Sequence, residues 1–167
     1  MTLFFRDNFF SMGETEILGS AGEAAGRIDL KGAFSSSLDV YDAADRLAYS
    51  GRFTLFSGRW TISNCRGEEV GKLRPRFSLS TKRFEYDARQ RGVYEIRSPI
   101  FSKEYEIFDS SGQTVAHFEK TSGFFSSDAF RLTNSSPQLD DYELVAVVMG
   151  LYAIQKHDGA AGSSAST

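Results

Sequence analysis

The fold is decided by a repeated unit that is clearest at residues 101–112, which read FSKEYEIFDSSG. A Phe-Ser dipeptide opens the unit, the alternating run from Tyr105 to Phe108 follows, and Asp109 begins a turn of Asp, Ser and Gly. Apolar and polar residues that alternate in this way are typical of a β-strand with one buried face. Asp, Ser and Gly supply the side-chain-to-backbone bonds and the positive φ angles that tight turns require. The unit therefore predicts the first strand and the turn of a hairpin.

The same unit recurs along the whole chain, because Phe-Ser dipeptides begin at residues 10, 34, 56, 77, 101 and 125. The alternating runs after them are 15–18, 38–41, 60–63, 84–86, 105–108 and 130–133, and return strands are predicted at 26–31, 47–55, 70–77, 93–97 and 114–120. With an opening strand from Thr2, about twelve antiparallel strands result. A leucine-rich solenoid has a similar period, but its unit is not a hairpin. A closed barrel fits better because closure removes exposed strand edges.

The period changes after Pro137, where the sequence predicts a helix. Asp140 and Asp141 suit an N-cap and a first turn, and the run from Tyr142 to Ile154 is apolar on nearly every face. Such a helix is buried in protein or in lipid, and this run is short of the ~20 residues that cross a bilayer. We therefore expect a core helix inside the barrel and no transmembrane segment. A helix on a membrane surface or in a dimer interface is the alternative.

The domain boundaries follow from these patterns. Residues 1–157 are predicted to form the barrel with its helix, and residues 158–167, mostly Gly, Ala and Ser, a disordered tail. The first residues do not resemble a secretory signal, which predicts a cytoplasmic protein. Cys65 is the only cysteine, so neither an internal disulfide nor a multi-cysteine zinc site can form. The net charge of −3 argues against a general nucleic-acid-binding protein.

Basic residues concentrate between Lys72 and Arg97, in contrast to the acidic remainder of the chain. If the residues from Val70 form a strand, Lys72, Arg74 and Arg76 share its outer face, and Arg83 joins them from the next strand. These four residues are the predicted anion-binding site, because aligned cations need a compensating partner. The alternative is a solvated surface on which Glu69, Glu85 and water provide that compensation.

No catalytic or metal-binding constellation is visible in the sequence. His117 and His157 neighbour no nucleophile at a recognisable spacing, and no phosphate loop or dinucleotide glycine pattern occurs. Asp140, Asp141 and Glu143 form the tightest acidic cluster, which helix capping explains. We therefore expect no catalytic residues, no metal and no cofactor.

The chain resembles the LURP-one-related family of the tubby C-terminal-like superfamily, to which phospholipid scramblases are related. The matching features are residues 9–13 (FFSMG), the recurrent Phe-Ser between hairpins, the turn-flanked return strands and the helix from Asp140 to Ile154. The resemblance covers residues 1–157 and implies a twelve-stranded barrel threaded by a hydrophobic helix. Tubby-like relatives bind phosphoinositides through basic surface residues, but no matching motif carries those positions over to this sequence.

These observations lead to two functional hypotheses. The first is a non-enzymatic cytoplasmic barrel that binds an anionic ligand, such as a phospholipid headgroup, through Lys72, Arg74, Arg76 and Arg83. The second is a protein-interaction or structural scaffold that has no small-molecule site. The sequence leaves the oligomeric state open.

Overall fold

The computed structural model describes residues 1–6, 10, 13–31, 36–54, 58–99, 102–121 and 129–162. Within these ranges the chain forms twelve β-strands and one α-helix. The strands are β1 Thr2–Arg6, β2 Gly13–Leu18, β3 Ala24–Lys31, β4 Ser37–Asp42, β5 Leu47–Phe53, β6 Trp60–Asn64, β7 Glu69–Arg76, β8 Lys82–Asp87, β9 Val93–Ser98, β10 Tyr105–Phe108, β11 Thr114–Thr121 and β12 Ala129–Asn134. The helix, α1, is Asp141–Gly162, and a 3-10 turn at Arg89–Arg91 joins β8 to β9.

The strands form one closed antiparallel barrel. Each strand pairs with its neighbours in the chain, and β1 pairs with β12 to close the sheet, with Leu3 opposite Leu132. Every predicted strand overlaps an observed one, so the predicted all-β architecture of about twelve strands with one C-terminal helix is confirmed. Of the Phe-Ser dipeptides, Phe77-Ser78 lies wholly within the described residues, and the others lie wholly or partly outside them.

Helix α1 fills the interior of the barrel, because every residue from Glu143 to Leu151 is buried. Asp140 caps it, since its Oδ1 accepts hydrogen bonds from the backbone N–H of Tyr142 at 2.9 Å and of Glu143 at 3.4 Å. The predicted cap and the predicted core position are thus both observed. The helix extends to Gly162, however, whereas the sequence predicted its end at His157. Alanines at 160 and 161 favour continuation of the helix beyond that point.

The start of α1 is fixed in the barrel by a buried ion pair. Glu143 is completely buried, and its carboxylate accepts hydrogen bonds from the Arg91 guanidinium at 2.5 and 2.8 Å and from the Tyr86 hydroxyl. Burial and the Glu143 charge raise the pKa of Tyr86, so its hydroxyl stays protonated and donates. Arg91 also donates to the carbonyl of Val70 at 2.9 Å. The pair therefore connects the helix to β8, to the turn after it and to β7.

Removal of either partner of this ion pair should destabilise the fold strongly. We expect Arg91→Leu to lower the free energy of unfolding by about 3 kcal/mol, because it leaves the Glu143 carboxylate buried without its cation. Urea unfolding of Arg91→Leu, Glu143→Leu and the double variant measures the coupling. The double variant should lose clearly less stability than the two single variants combined. Strict additivity would show that the two side chains do not depend on each other.

Glycines let the helix and the sheet approach the largest core side chain, Trp60, which is fully buried. An added Cβ at Gly51 on β5 or at Gly150 on α1 would lie 2.6 Å from the indole Nε1, well inside van der Waals contact. The indole ring is thus held between a strand glycine and a helix glycine. Within the described part of the chain, Trp60 Nε1 has no hydrogen-bond partner, so packing alone positions the ring.

Gly150→Ala therefore tests the packing of the helix against the barrel. In an exposed helix this change would add about 1 kcal/mol of stability. Here overpacking against Trp60 should instead cost about 2 kcal/mol and lower the Tm by roughly 5 °C. In a Trp60→Phe background, where the ring is smaller, the cost of Gly150→Ala should shrink. A rise in Tm for the single variant would contradict the close approach.

Candidate anion-binding site

The predicted basic residues lie where the strand pattern placed them. Leu73 is buried, whereas Lys72, Arg74 and Arg76 alternate with the inward positions of β7 and lie on its outer face. Arg83 lies on the outer face of β8, directly opposite Arg76. All four predicted residues therefore share one surface of the barrel.

The pairing register adds a third arginine to this surface. Arg76 is opposite Arg83, and Arg83 is in turn opposite Arg97 on β9. We call these three residues the arginine row. Neighbouring strands are about 4.8 Å apart, and like charges directly opposite each other are destabilising. Repulsion among the three arginines of the row consequently destabilises the folded protein.

Two carboxylates beside the row offset part of this charge. Glu85 forms an ion pair with Arg76 at 2.9 Å and also contacts Arg74. Glu95 accepts two hydrogen bonds from Arg97, each at 2.9 Å. The hydrogen bond from Arg97 lowers the pKa of Glu95, and the charges of the other two arginines of the row act in the same direction.

Arg83, at the centre of the row, makes the loosest contacts of the three arginines. Its ion pair with Glu95 is 3.7 Å long, and its hydrogen bond to Thr81 Oγ1 is 3.4 Å long. Its side chain is 47% exposed, so an incoming anion can reach the guanidinium. Arg83 therefore contacts its described neighbours at longer distances than Arg76 and Arg97 do.

The other two predicted residues are engaged elsewhere. Lys72 Nζ lies 3.3 Å from Glu69. Lys72 is four residues before Arg76 on β7, away from the row. Arg74 directs its guanidinium at Glu85, with its Nε 2.8 Å from the carboxylate. The compensation by Glu69 and Glu85 that the sequence offered as an alternative thus applies to these two residues and, through Glu85, to Arg76.

A recess of about 420 Å³ lies beside the row, between the β7–β8 loop at residues 77–81 and α1. Its polar lining comprises Arg76, Ser78, Thr81, Lys82, Arg83, Gln155 and Asp158. Lys82 Nζ contacts Gln155 Oε1 at 2.5 Å, and Gln155 Nε2 donates to the Tyr105 hydroxyl at 2.7 Å. The helix thereby forms one wall of the recess.

A second groove, of about 510 Å³, runs from the row across the outer face of β8 and β9 towards the turn after β10. Arg76 and Arg83 line both depressions, with Glu85, Glu95 and the ring of Phe108 added in the second. These two arginines are thus the shared centre of the surface.

The site reasoning from sequence missed Arg97 and Lys82. Both belong to the basic stretch, and Arg97 is out of phase with the inward Ile96, which places it on the outer face. That phase was the available signal for Arg97. The role of Lys82 depends on the contact with Gln155, 73 residues away in sequence, which no local pattern predicts.

The other polar residues considered in the sequence lie apart from this site. His117 lies on the outer face of β11, 3.6 Å from Glu119, and Cys65 is an exposed free thiol in the turn after β6. In the ranges that the structure describes, no three His, Cys, Asp or Glu side chains are grouped to hold a metal ion. No helix among those residues is long and apolar enough to cross a membrane.

Comparison with known proteins agrees with this architecture. The family model described as LURP-one-related matches residues 1–152. The chain belongs to the LURP-one-related family. A solved X-ray structure of a protein from Arabidopsis thaliana has a TM-score of 0.57 and 12% sequence identity, with 90% of this chain and 89% of that chain covered. At this identity the similarity shows the fold alone. No curated protein matches the sequence, and the wider relation of this LURP-one-related chain to tubby-like proteins stays a prediction.

Glu95 should stabilise the arginine row in a pH-dependent way. Because the pKa of Glu95 is lowered below its ordinary value of 4.5, its ion pairs contribute stability above that pH, which is lost as the pH falls through the folded-state pKa. Glu95→Gln should therefore cost about 0.5 kcal/mol at pH 7, a small value since the group is partly exposed. The difference from wild type should vanish in acid and shrink in high salt. Thermal melts across pH measure it, and a difference that persists in acid would refute the ion-pair origin.

Proposed function

We propose that this barrel is a non-enzymatic binding protein whose ligand is the phosphate headgroup of an anionic phospholipid. The observation that carries the proposal is the arginine row, in which Arg83 lies directly between Arg76 and Arg97. An anionic ligand relieves the repulsion that this arrangement creates. Binding of a phosphate would therefore lower the electrostatic free energy of this surface in the LURP-one-related barrel.

The side chains around the recess suit a phosphate. Guanidinium groups hold phosphate oxygens with paired, charge-assisted hydrogen bonds, and an ammonium such as Lys82 adds a point charge. The hydroxyls of Ser78 and Thr81 line the same recess and can donate to the remaining oxygens. Asp158 is the one carboxylate that lines the recess within the described residues, against the three cations Arg76, Lys82 and Arg83.

Glu85 and Glu95 do not remove the charge surplus. They lie among four arginines, Arg74 and the three of the row, and Glu106 on β10 is opposite Arg97, so one positive charge remains. Both carboxylates approach from the strand positions next to the row, which leaves the side that faces the recess to the cations. We therefore interpret Glu85 and Glu95 as groups that hold the arginines in place for a ligand.

The proposed ligand also suits the cytoplasmic location expected from the sequence. The cytoplasmic leaflet carries anionic lipids, and the exposed free thiol of Cys65 is compatible with a reducing compartment. Binding of this kind needs no chemical step, so the proposal assigns no catalytic residue.

Vesicle binding by neutralised variants tests the proposal. Wild-type protein should bind vesicles of phosphatidylcholine with phosphatidic acid or a phosphatidylinositol phosphate, and not phosphatidylcholine alone. Arg83→Gln should weaken binding about fivefold, since one basic residue near an anionic surface contributes about 1 kcal/mol. Its Tm should not fall, because the change relieves repulsion within the row. Co-sedimentation at several salt concentrations measures the affinity.

A matched variant controls for general electrostatics. Arg131→Gln on β12 removes the same charge from a residue of similar exposure, 41%, that is paired with Glu119 outside the site. It should leave binding nearly unchanged. Equal losses for Arg83→Gln and Arg131→Gln would reject the site. The absence of binding to every anionic vesicle would reject the proposed ligand and favour the scaffold hypothesis.

A further inference from the structure

The two ends of the barrel carry opposite charge. The turn end comprises the β2–β3, β4–β5, β6–β7, β8–β9 and β10–β11 turns, the β12–α1 connection, the first residues of α1 and the two strand residues next to each. The loop end comprises the opposite connections, with the strand residues next to them and the C-terminal part of α1. Among the described residues, acids prevail at the turn end: Glu23, Asp42, Asp45, Glu68, Glu69, Asp87, Asp109, Asp140, Asp141 and Glu143, against four arginines.

Basic residues prevail at the loop end. The described Lys and Arg side chains there are Arg6, Lys31, Arg52, Arg59, Arg76, Lys82, Arg83, Arg97, Lys103, Lys120 and Lys156. The acids in the same zone, again among the described residues, are Glu14, Glu104, Glu106 and Asp158. The recess and the arginine row therefore belong to a wider group of basic residues at this end, within the part of the chain that the structure describes.

Two large apolar side chains are exposed among these basic residues. Phe77 is 90% exposed and Leu79 is 88% exposed, both in the β7–β8 loop. Exposed apolar groups of this size are unfavourable in water, and a pair of them in a five-residue loop indicates a contact surface. Ser78 and Thr81 in the same loop are within 3.4 Å of each other and line the recess, so the loop is held beside the phosphate site.

In the sequence, basic residues lie on both sides of the two apolar residues of this loop. Arg76 immediately precedes Phe77, and Lys82 and Arg83 follow Thr81. The exposed apolar pair is thus flanked in sequence by three cations. A bilayer with anionic lipids offers a partner to both, with negative phosphates at the surface and hydrocarbon beneath them.

We propose that the loop end of the barrel docks on an anionic bilayer, with Phe77 and Leu79 inserted below the level of the phosphates. Arg76, Lys82 and Arg83 then contact the phosphate layer, and the acidic turn end faces away from the membrane. The inference rests on the proposed phospholipid binding and adds to it the orientation of the barrel and a hydrophobic anchor. A second copy of the chain, with its acidic end against this basic end, is the competing occupant, but two almost fully exposed apolar side chains suit insertion into hydrocarbon better than contact with an acidic surface.

A tryptophan placed in the loop reports insertion directly. Trp60 is the single tryptophan of the chain and is fully buried, so wild-type emission should not change when vesicles are added. Phe77→Trp adds an exposed indole. With phosphatidylcholine–phosphatidic acid vesicles its emission should shift to the blue, and lipids brominated on their acyl chains should quench it. Vesicles of phosphatidylcholine alone should produce neither effect.

Polar substitutions measure the contribution of the anchor. Phe77→Ser and Leu79→Ser should each weaken binding to these vesicles about tenfold, the loss expected when a partly inserted apolar side chain is removed. Val93→Ser is the matched control, because Val93 is also exposed, at 45%, but lies at the turn end. It should bind as wild type does. The loop variants should keep the wild-type Tm, since neither side chain contributes to the core.

The outcomes separate this inference from the proposed function. Binding that depends on Arg83 but not on Phe77, without a blue shift, would overturn insertion and leave headgroup binding intact. A dimer that Phe77→Ser dissociates in light scattering without lipid would assign the loop to a second copy and also overturn insertion. The absence of binding to every anionic vesicle would overturn both proposals.

Discussion

The interior of a twelve-stranded barrel is the constraint on which the rest of this structure depends. Eight strands already enclose a space that side chains can just fill, and twelve enclose more than side chains from the sheet can occupy. Helix α1 occupies it, which explains why the helix is apolar on nearly every face between Leu144 and Ile154. The requirement then extends to the sheet, since Gly51 and Gly150 leave room for the Trp60 indole between strand and helix.

The buried Glu143–Arg91 pair defines the position of helix α1 within the apolar interior of the barrel. Apolar contacts alone would tolerate rotation or sliding of the helix, whereas a fully buried carboxylate is stable only where its partners lie. Arg91 and Tyr86 provide those partners near the turn end. With this end fixed, the helix brings Gln155 to Lys82 and Tyr105 at the other end. The wall of the candidate recess is therefore a consequence of a contact made at the opposite end of the barrel.

The sequence predicted what depends on local patterns. Alternation and turn residues placed the strands, and the loss of alternation after Pro137 placed the helix, because both signals come from residues close together in the chain. The shared face of Arg74, Arg76 and Arg83 followed from the same two-residue period. The Arg76–Arg83–Arg97 register and the Lys82–Gln155 contact were not predicted, because they depend on how strands pair and where the helix lies. The Glu143–Arg91 pair was missed for the same reason: an acid in the first turn of a helix usually needs no partner beyond the helix N-terminus.

The positive potential at the candidate site depends on the separation of charge between the two ends of the barrel more than on any single residue. The chain as a whole is acidic, so it would repel an anionic surface if its charges were evenly spread. With ten of the described acids at the turn end, much of the acidic charge lies about a strand length away from the basic end. A strand of eight residues spans about 26 Å, several times the ~8 Å screening length at physiological ionic strength. An anion at the loop end therefore interacts with the local surplus of Arg and Lys and hardly with the net charge.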